Sequence, residues 1–185
     1  MKKLTEEILY AGNWITLKVL SLSGQDGQII QWECVERKNR HIGMVILPKL
    51  VPSNRIVLIK QYRPAISNYI IGFPAGIAES GDIGQEALRE LREETGFIGK
   101  ITRISPPLKS NPAFIDDYVY VINAEIDETA APNLLPVQNL GAGEDIEVIL
   151  VKEDEMLSFL EEQNGQGMEI GIGPWYVYAS RSQAL

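Results

Sequence analysis

Over the first part of the chain, hydrophobic and polar positions alternate with a period of two. Ile15, Leu17 and Val19 share one face and Ile30, Trp32 and Cys34 repeat the pattern, which predicts two strands within residues 15–37. Ser23-Gly24-Gln25-Asp26-Gly27 between them has turn chemistry and predicts a hairpin. After the polar break Lys38-Asn39-Arg40-His41, the runs Met44-Val45-Ile46-Leu47 and Ile56-Val57-Leu58-Ile59 are continuously apolar, as strands covered on both faces are, and Pro52-Ser53-Asn54 parts them. The stretch from Gly72 to Gly81 is rich in Gly and Pro, and beyond it the period changes. Asp82 with Gln85 three residues on forms a capping-box pattern, and Gly96 supplies a stop, so a helix is predicted between them. Strands follow at Ile101–Ile104 and Tyr118–Ile126. Residues 127–144 hold Pro132, Pro136, Gly141 and Gly143 and predict a long loop, functional or mobile in a compact domain. Ile146–Val151 is predicted as a strand, Glu153–Glu162 as a helix and Trp175–Arg181 as a short helix. The order of elements is that of an α/β or α+β sandwich.

Composition narrows the functional classes. The chain has 185 residues, with 17 basic against 25 acidic side chains and a net charge of -8. That balance argues against a general nucleic-acid binder, which needs a basic stripe to displace counterions. No apolar run approaches the roughly 18 residues of a bilayer crossing, and no apolar stretch backs Lys2 and Lys3 as a signal peptide would. A single cysteine, Cys34, excludes an intramolecular disulfide and a cysteine-only metal site. The expectation is a cytoplasmic protein with neither membrane nor nucleic-acid partners.

Chemistry concentrates between Gly76 and Phe97. At about 100° per residue, with Leu88 at 0°, Leu91 falls near ~300° and Ala87 near ~260°, an apolar arc facing the core. Glu90, Glu93 and Glu94 fall near ~200°, ~140° and ~240°, so three carboxylates share the opposite side, and Arg89 stands one turn before Glu93. Carboxylates on adjacent turns repel one another unless a cation is shared. Such a cluster suits Mg²⁺ or Mn²⁺, hard ions that take oxygen ligands and keep waters for a phosphate substrate. Charge runs also occur simply as solvated helix faces, which leaves the cluster by itself open to both readings.

The flanking residues distinguish them. Gly76, Arg89-Glu90-Leu91 and Glu93-Glu94-Thr95-Gly96-Phe97 resemble the Nudix box, the loop–helix signature of Nudix hydrolases. Gln61-Tyr62-Arg63-Pro64 and Phe73-Pro74-Ala75-Gly76 are similar to the branch that cleaves ADP-ribose and other nucleoside diphosphate sugars. The resemblance implies an α/β/α sandwich with a mixed central sheet, preceded by a small antiparallel β region, with boundaries at 1–43 and 44–185. It implies that Glu90, Glu94 and the Ala75 carbonyl bind Mg²⁺ (or Mn²⁺), that Glu93 is a further ligand, and that Arg89 holds the glutamates by ion pairing. The metal would bridge a diphosphate and activate a water, releasing AMP and ribose 5-phosphate from ADP-ribose. Glu144 matches the carboxylate that completes such sites from a late loop, and Arg63 lies where the branch meets its substrate. The resemblance further implies a homodimer built on the N-terminal strands.

Three positions differ from the pattern. The interval from Gly76 to Arg89 is one residue short, with Asp82 where a glutamate is usual; Gly72 replaces a glutamate before the Phe-Pro-Ala-Gly run; and Ala142 stands where the late loop often carries its first acid. These differences admit a ligand-binding Nudix domain with little catalysis, or a pyrophosphatase for another sugar nucleotide such as GDP-mannose. Asp116 and Asp117 are reserve bases, though their place before a strand is also ordinary turn chemistry. Trp32 offers a stacking surface for a base, or packs in a core or interface.

Overall fold

The computed structural model describes residues 1–38, 42–79 and 81–182; the polar residues Asn39, Arg40 and His41 lie outside these. The N-terminal strands β1 (Lys2–Ala11), β2 (Ile15–Ser23) and β3 (Ile29–Arg37) form an antiparallel sheet of three in sequence order. The predicted hairpin is present, with Ser23 opposite Ile29. The sequence reading does not anticipate β1, whose Lys-Lys-Leu-Thr-Glu-Glu start lacks a sustained alternation. It becomes a strand by pairing with β2 along its whole length.

A second sheet of eight strands forms the body. Its strands are β4 (Ile42–Val51), β5 (Arg55–Arg63), β6 (Asn68–Gly72), β7 (Ala75–Ala78), β8 (Lys100–Ile104), β9 (Tyr118–Asp127), β10 (Ile146–Lys152) and β11 (Glu169–Ile170). The sheet is mixed: β4 runs parallel to β9 from Ile42–Tyr118 to Val51–Asp127, while β7 pairs antiparallel with β4 and β10 with β5. Strand β5 is buried on both faces, as its unbroken apolar run predicts: Val57 faces one core, and Ile56 and Leu58 the other. On the first side lies α1 (Ile83–Thr95), with Ala87 and Leu91 against Met44, Ile46 and Ile122. On the second lie α2 (Met156–Gly165) and α3 (Ile172–Ser182), through Met156, Leu160 and Tyr178. This is the expected α/β/α sandwich with a mixed central sheet. Among the described residues no helix is long and apolar enough to cross a membrane.

Three local outcomes differ from the sequence reading. The segments around Phe73-Pro74 are strands because β5 and β4 supply their hydrogen-bond partners, not because of their own propensity. The helix predicted from Glu153 begins as a 3-10 turn (Glu153–Glu155), and the last helix starts at Ile172, with Pro174 in its first turn where a missing N–H costs little. Residues 127–144 are irregular but tied down. Asn133, 6% exposed, accepts from the Ile98 N–H at 2.8 Å and donates to the carbonyls of Ile98 and Asp127 at 2.9 Å each.

Helix α1 has its ends where the capping residues put them. Asp82 Oδ1 accepts from the Gln85 N–H at 3.0 Å, and Gly96 closes the other end in the left-handed region at φ +77, donating to the Arg92 carbonyl at 2.8 Å. The late loop packs directly on that glycine: a Cβ at Gly96 would lie 2.4 Å from the Val137 backbone nitrogen. Gly96→Ala therefore meets both strain and a backbone clash, and should lower unfolding free energy by about 2–4 kcal/mol. Gly165→Ala, which meets nothing within 4 Å, should change it by less than about 0.5 kcal/mol in the same urea titration. Equal effects at the two glycines would show that the loop does not rest on the helix end.

Candidate active site

Strand β7 and helix α1 leave the same short loop and fold back on each other, which brings the acid face of the helix against the strand. Gly76 permits this contact, because any Cβ there would stand 2.4 Å from the Glu90 carboxyl carbon. One residue earlier, the Ala75 backbone N–H donates to Glu94 Oε2 at 2.9 Å. The helical-wheel reading is corrected here: Glu94 does not lie opposite the apolar arc but is 3% exposed, sharing the buried side with Ala87 and Leu91. Its wheel angle already fell next to that of Ala87, and the close approach of β7 covers it.

Arg89 holds the remaining acids. Its Nη2 donates to Glu90 Oε1 at 2.7 Å and to Glu86 Oε2 at 2.9 Å, and its Nη1 donates to Glu93 Oε2 at 2.6 Å. The Glu86 bond, followed by the charges of Glu90 and Glu93, raises the guanidinium pKa further, so Arg89 stays charged. With Arg89 spread over three acids and Glu94 on a backbone amide, no three His, Cys, Asp or Glu side chains among the described residues are gathered into a preformed metal cage.

Glu90 and Glu94 border a cleft of about 560 Å³ that also receives Arg63 and Gln61 from β5, Ala75, Gly76 and Glu79 from and beyond β7, and Glu144 from the late loop. Residues far apart in sequence thus meet at one cleft. Arg63 and Glu144 are both close enough to bear on the ionisation of Glu94. Glu93 and Arg89 instead line a neighbouring cavity with Leu88 and Val137. Asp117 lines the far end of the cleft, accepting from Ser110 Oγ at 2.7 Å and Arg37 Nε at 3.4 Å, whereas Asp116 turns outward to pair with Lys109. Trp32 lies outside the cleft of its own chain; its Nε1 donates to the Ala113 carbonyl at 2.9 Å and its ring stays partly exposed. Sequence reading does not single out Arg37 or Glu79. Arg37 ends an alternating strand, but nothing in the sequence says that Asp117 meets it.

The electrostatics suit a cation. Burial pushes the Glu94 carboxyl up to about 8, opposed by the Ala75 N–H and reinforced by the charges of Glu90 and Glu144. Burial also raises Glu90, opposed by Arg89 and reinforced by Glu93 and Glu144. Hard carboxylate oxygens whose negative charge is disfavoured in this way are suitable ligands for a divalent ion.

The sign of the consequence follows from linkage. Folded Glu94 keeps its proton up to about pH 8, whereas the unfolded side chain loses it near 4.5. Its contribution is therefore fully present below about 4.5 and lost by about pH 8. Without divalent metal, stability should fall by about 2–4 kcal/mol between pH 5 and 8, and Glu94→Gln should flatten that fall. Urea titrations in chelator at both pH values measure this, and parallel profiles for the two proteins would contradict it.

Comparison with known proteins agrees with the geometry. The profile of the NUDIX domain matches residues 39–167. An ADP-ribose pyrophosphatase of Saccharomyces cerevisiae is 33% identical over 172 residues, spanning 86% of this chain and 74% of its own. An ADP-sugar pyrophosphatase of Mus musculus is 30% identical over 165 residues, spanning 85% and 76%. A crystal structure of an ADP compounds hydrolase superposes with a TM-score of 0.69 at 21% identity, covering 87% of this chain and 84% of that one, a likeness of fold. With a family match over most of its length and a relative 33% identical over 86% of it, the chain belongs to the Nudix hydrolase family.

Proposed function

We propose that the chain hydrolyses the pyrophosphate bond of a nucleoside diphosphate sugar, ADP-ribose foremost. The observation that carries this reading is the buried carboxylate of Glu94, 3% exposed, beside Glu90 and Glu144 in a cleft that also holds Arg63. The names of the yeast and mouse relatives support the substrate class. Hydrolases of this family use divalent metal ions, and Mg²⁺, with Mn²⁺ an alternative, is the ion proposed here. Glu90 and Glu94, joined by the Ala75 carbonyl, would hold it, with Glu93 as a further ligand. When bound, such an ion neutralises charge on the diphosphate and acidifies a water.

The residues of the chain do the rest. Arg89 keeps Glu90 and Glu93 oriented. Arg63 stacks on the base or clamps a phosphate, both of which its planar fork allows. Glu144 accepts the proton of the attacking water, whose oxygen bonds to phosphorus as the bridging oxygen leaves. AMP and ribose 5-phosphate are released. The Glu144 carboxylate borders the cleft, where its Oε2 accepts from the Gly141 N–H at 2.7 Å.

The same reading includes a homodimer. The N-terminal sheet leaves Ile8 59%, Tyr10 61%, Trp14 79% and Ile29 68% exposed, apolar surface that a second copy would cover. Because Trp32 lies outside its own cleft, it would reach a nucleotide through that partner. The reading also keeps the chain in the cytoplasm, a setting that its single, unpaired Cys34 suits.

A substrate panel with product identification tests the proposal. AMP should appear from ADP-ribose only with divalent metal, and Glu94→Gln and Glu90→Gln should each lower kcat/KM by about 100-fold or more. Turnover indifferent to both metal and substitution would end the reading, and preferential cleavage of GDP-mannose would move the substrate. Ile8→Asp with Ile29→Asp should shift sedimentation from dimer to monomer; a monomeric wild type with full activity would remove the dimer.

A further inference from the structure

The loop that delivers Glu144 has little of its own to hold it. Residues Gly141 to Asp145 are all exposed, and Gly143 takes a positive φ of 86. Within the turn, the Glu144 N–H donates to the Gly141 carbonyl at 3.2 Å and the Gly141 N–H returns a bond to Glu144 Oε2 at 2.7 Å. Those bonds fix the shape of the turn but not its place over the cleft. Placement comes from its two stems.

The entry stem is tied to the acid-bearing helix. The Asn139 N–H donates to the Glu93 carbonyl at 2.9 Å, and Gln138 Nε2 donates to the Glu94 carbonyl at 2.6 Å and the Ile146 carbonyl at 3.2 Å. The exit stem is tied from behind the sheet. Gln61 and Arg63 face the cleft, so Tyr62 between them points to the other face. Tyr69 is its register partner on β6 and lies edge-on to it, ring centres 5.4 Å apart. Asp145 reaches back to this pair: its carbonyl accepts from the Tyr62 N–H at 3.3 Å, and its side chain accepts from the Tyr69 hydroxyl. Ile146 opposite Gln61 continues the alternation, which sends Glu144 to the cleft side as Asp145 goes to the back.

We propose that Tyr69, through its hydroxyl bond to Asp145, is a positioning residue that sets where Glu144 stands over the cleft. The inference rests on the reading of Glu144 as the base and names the group that aims it. The Tyr69 ring has its own support, with Tyr62 beside it and the Lys60 ammonium 5.0 Å from its centre. Removing the hydroxyl alone therefore loosens the stem, which keeps its backbone bond from the Tyr62 N–H, without unpacking the ring.

Steady-state hydrolysis of ADP-ribose with Mg²⁺ tests this in a double-mutant cycle. Tyr69→Phe should lower kcat about tenfold, leave KM within about twofold and leave the melting temperature unchanged, as misplacement of a catalytic group by a fraction of an ångström does. In a Glu144→Gln background the same change should cost less than about twofold, because its effect passes through Glu144. Asp145→Asn, which keeps an acceptor oxygen, should lose less than Asp145→Ala. A wild-type kcat in Tyr69→Phe, a loss confined to KM, or an equal loss in both backgrounds overturns the proposal. If the wild-type protein cleaves no substrate of the panel, the hydrolase reading fails separately, and amide exchange over residues 138–146 decides the latch. Faster exchange in Tyr69→Phe upholds it, and unchanged exchange overturns it.

Discussion

The site depends on the burial of one carboxylate against one strand. Glu94 has almost no exposed surface, and the Ala75 N–H is the backbone donor that faces it. A charge in that position is costly unless a cation shares it, and the raised pKa expresses the cost. The tight seating of α1 on β7 creates the problem, and the absence of a Cβ at Gly76 permits the seating. Around this contact the other groups have distinct tasks: Arg89 gathers the acids that remain outside, and the far wall of the cleft contributes Arg63 and Glu144.

The sheet explains why such distant residues share a cleft. Parallel pairing of β4 with β9 forms its spine, and β5 brings Arg63 to the cleft that Glu90 and Glu94 of α1 border. Strand β10 lies against β5, so Glu144, two residues before it, arrives beside the acids. The loop ahead of β10 is anchored to the carbonyls of Glu93 and Glu94 at the end of α1. The helix that carries the acidic side chains and the loop that carries Glu144 are thus mechanically one unit.

The shortened interval before Arg89 has a modest structural effect. Asp82 caps the helix and α1 opens at the next residue, so the missing residue falls in the approach to the helix rather than among the acids. Arg89, Glu90, Glu93 and Glu94 keep their mutual spacing because they lie together in the last turns, where intrahelical bonds set their angular relation. The late loop with Ala142 retains Glu144 at the cleft, held by the stems on both sides.

Local chemistry in the sequence was enough to define the strands β2 to β5, the ends of α1 and the acid cluster. Alternation, capping residues and a helical stop act over a few residues and need no partner. Strands β1, β6 and β7 were not legible in this way, because their hydrogen bonds are supplied by neighbours distant in the chain. Periodicity set Glu94 with the acids opposite the apolar arc although its angle lay beside that of Ala87; only packing against β7 made it a buried group. The meeting of Arg37 with Asp117, of Tyr69 with Asp145 and of Gln138 with the end of α1 likewise follows from which strands lie side by side. The sequence by itself determined which side chains carry the chemistry, since that depends on their identity and near spacing. The tertiary structure decided which of them are desolvated and aimed at one cleft, since burial and long-range contact arise only when the layers close.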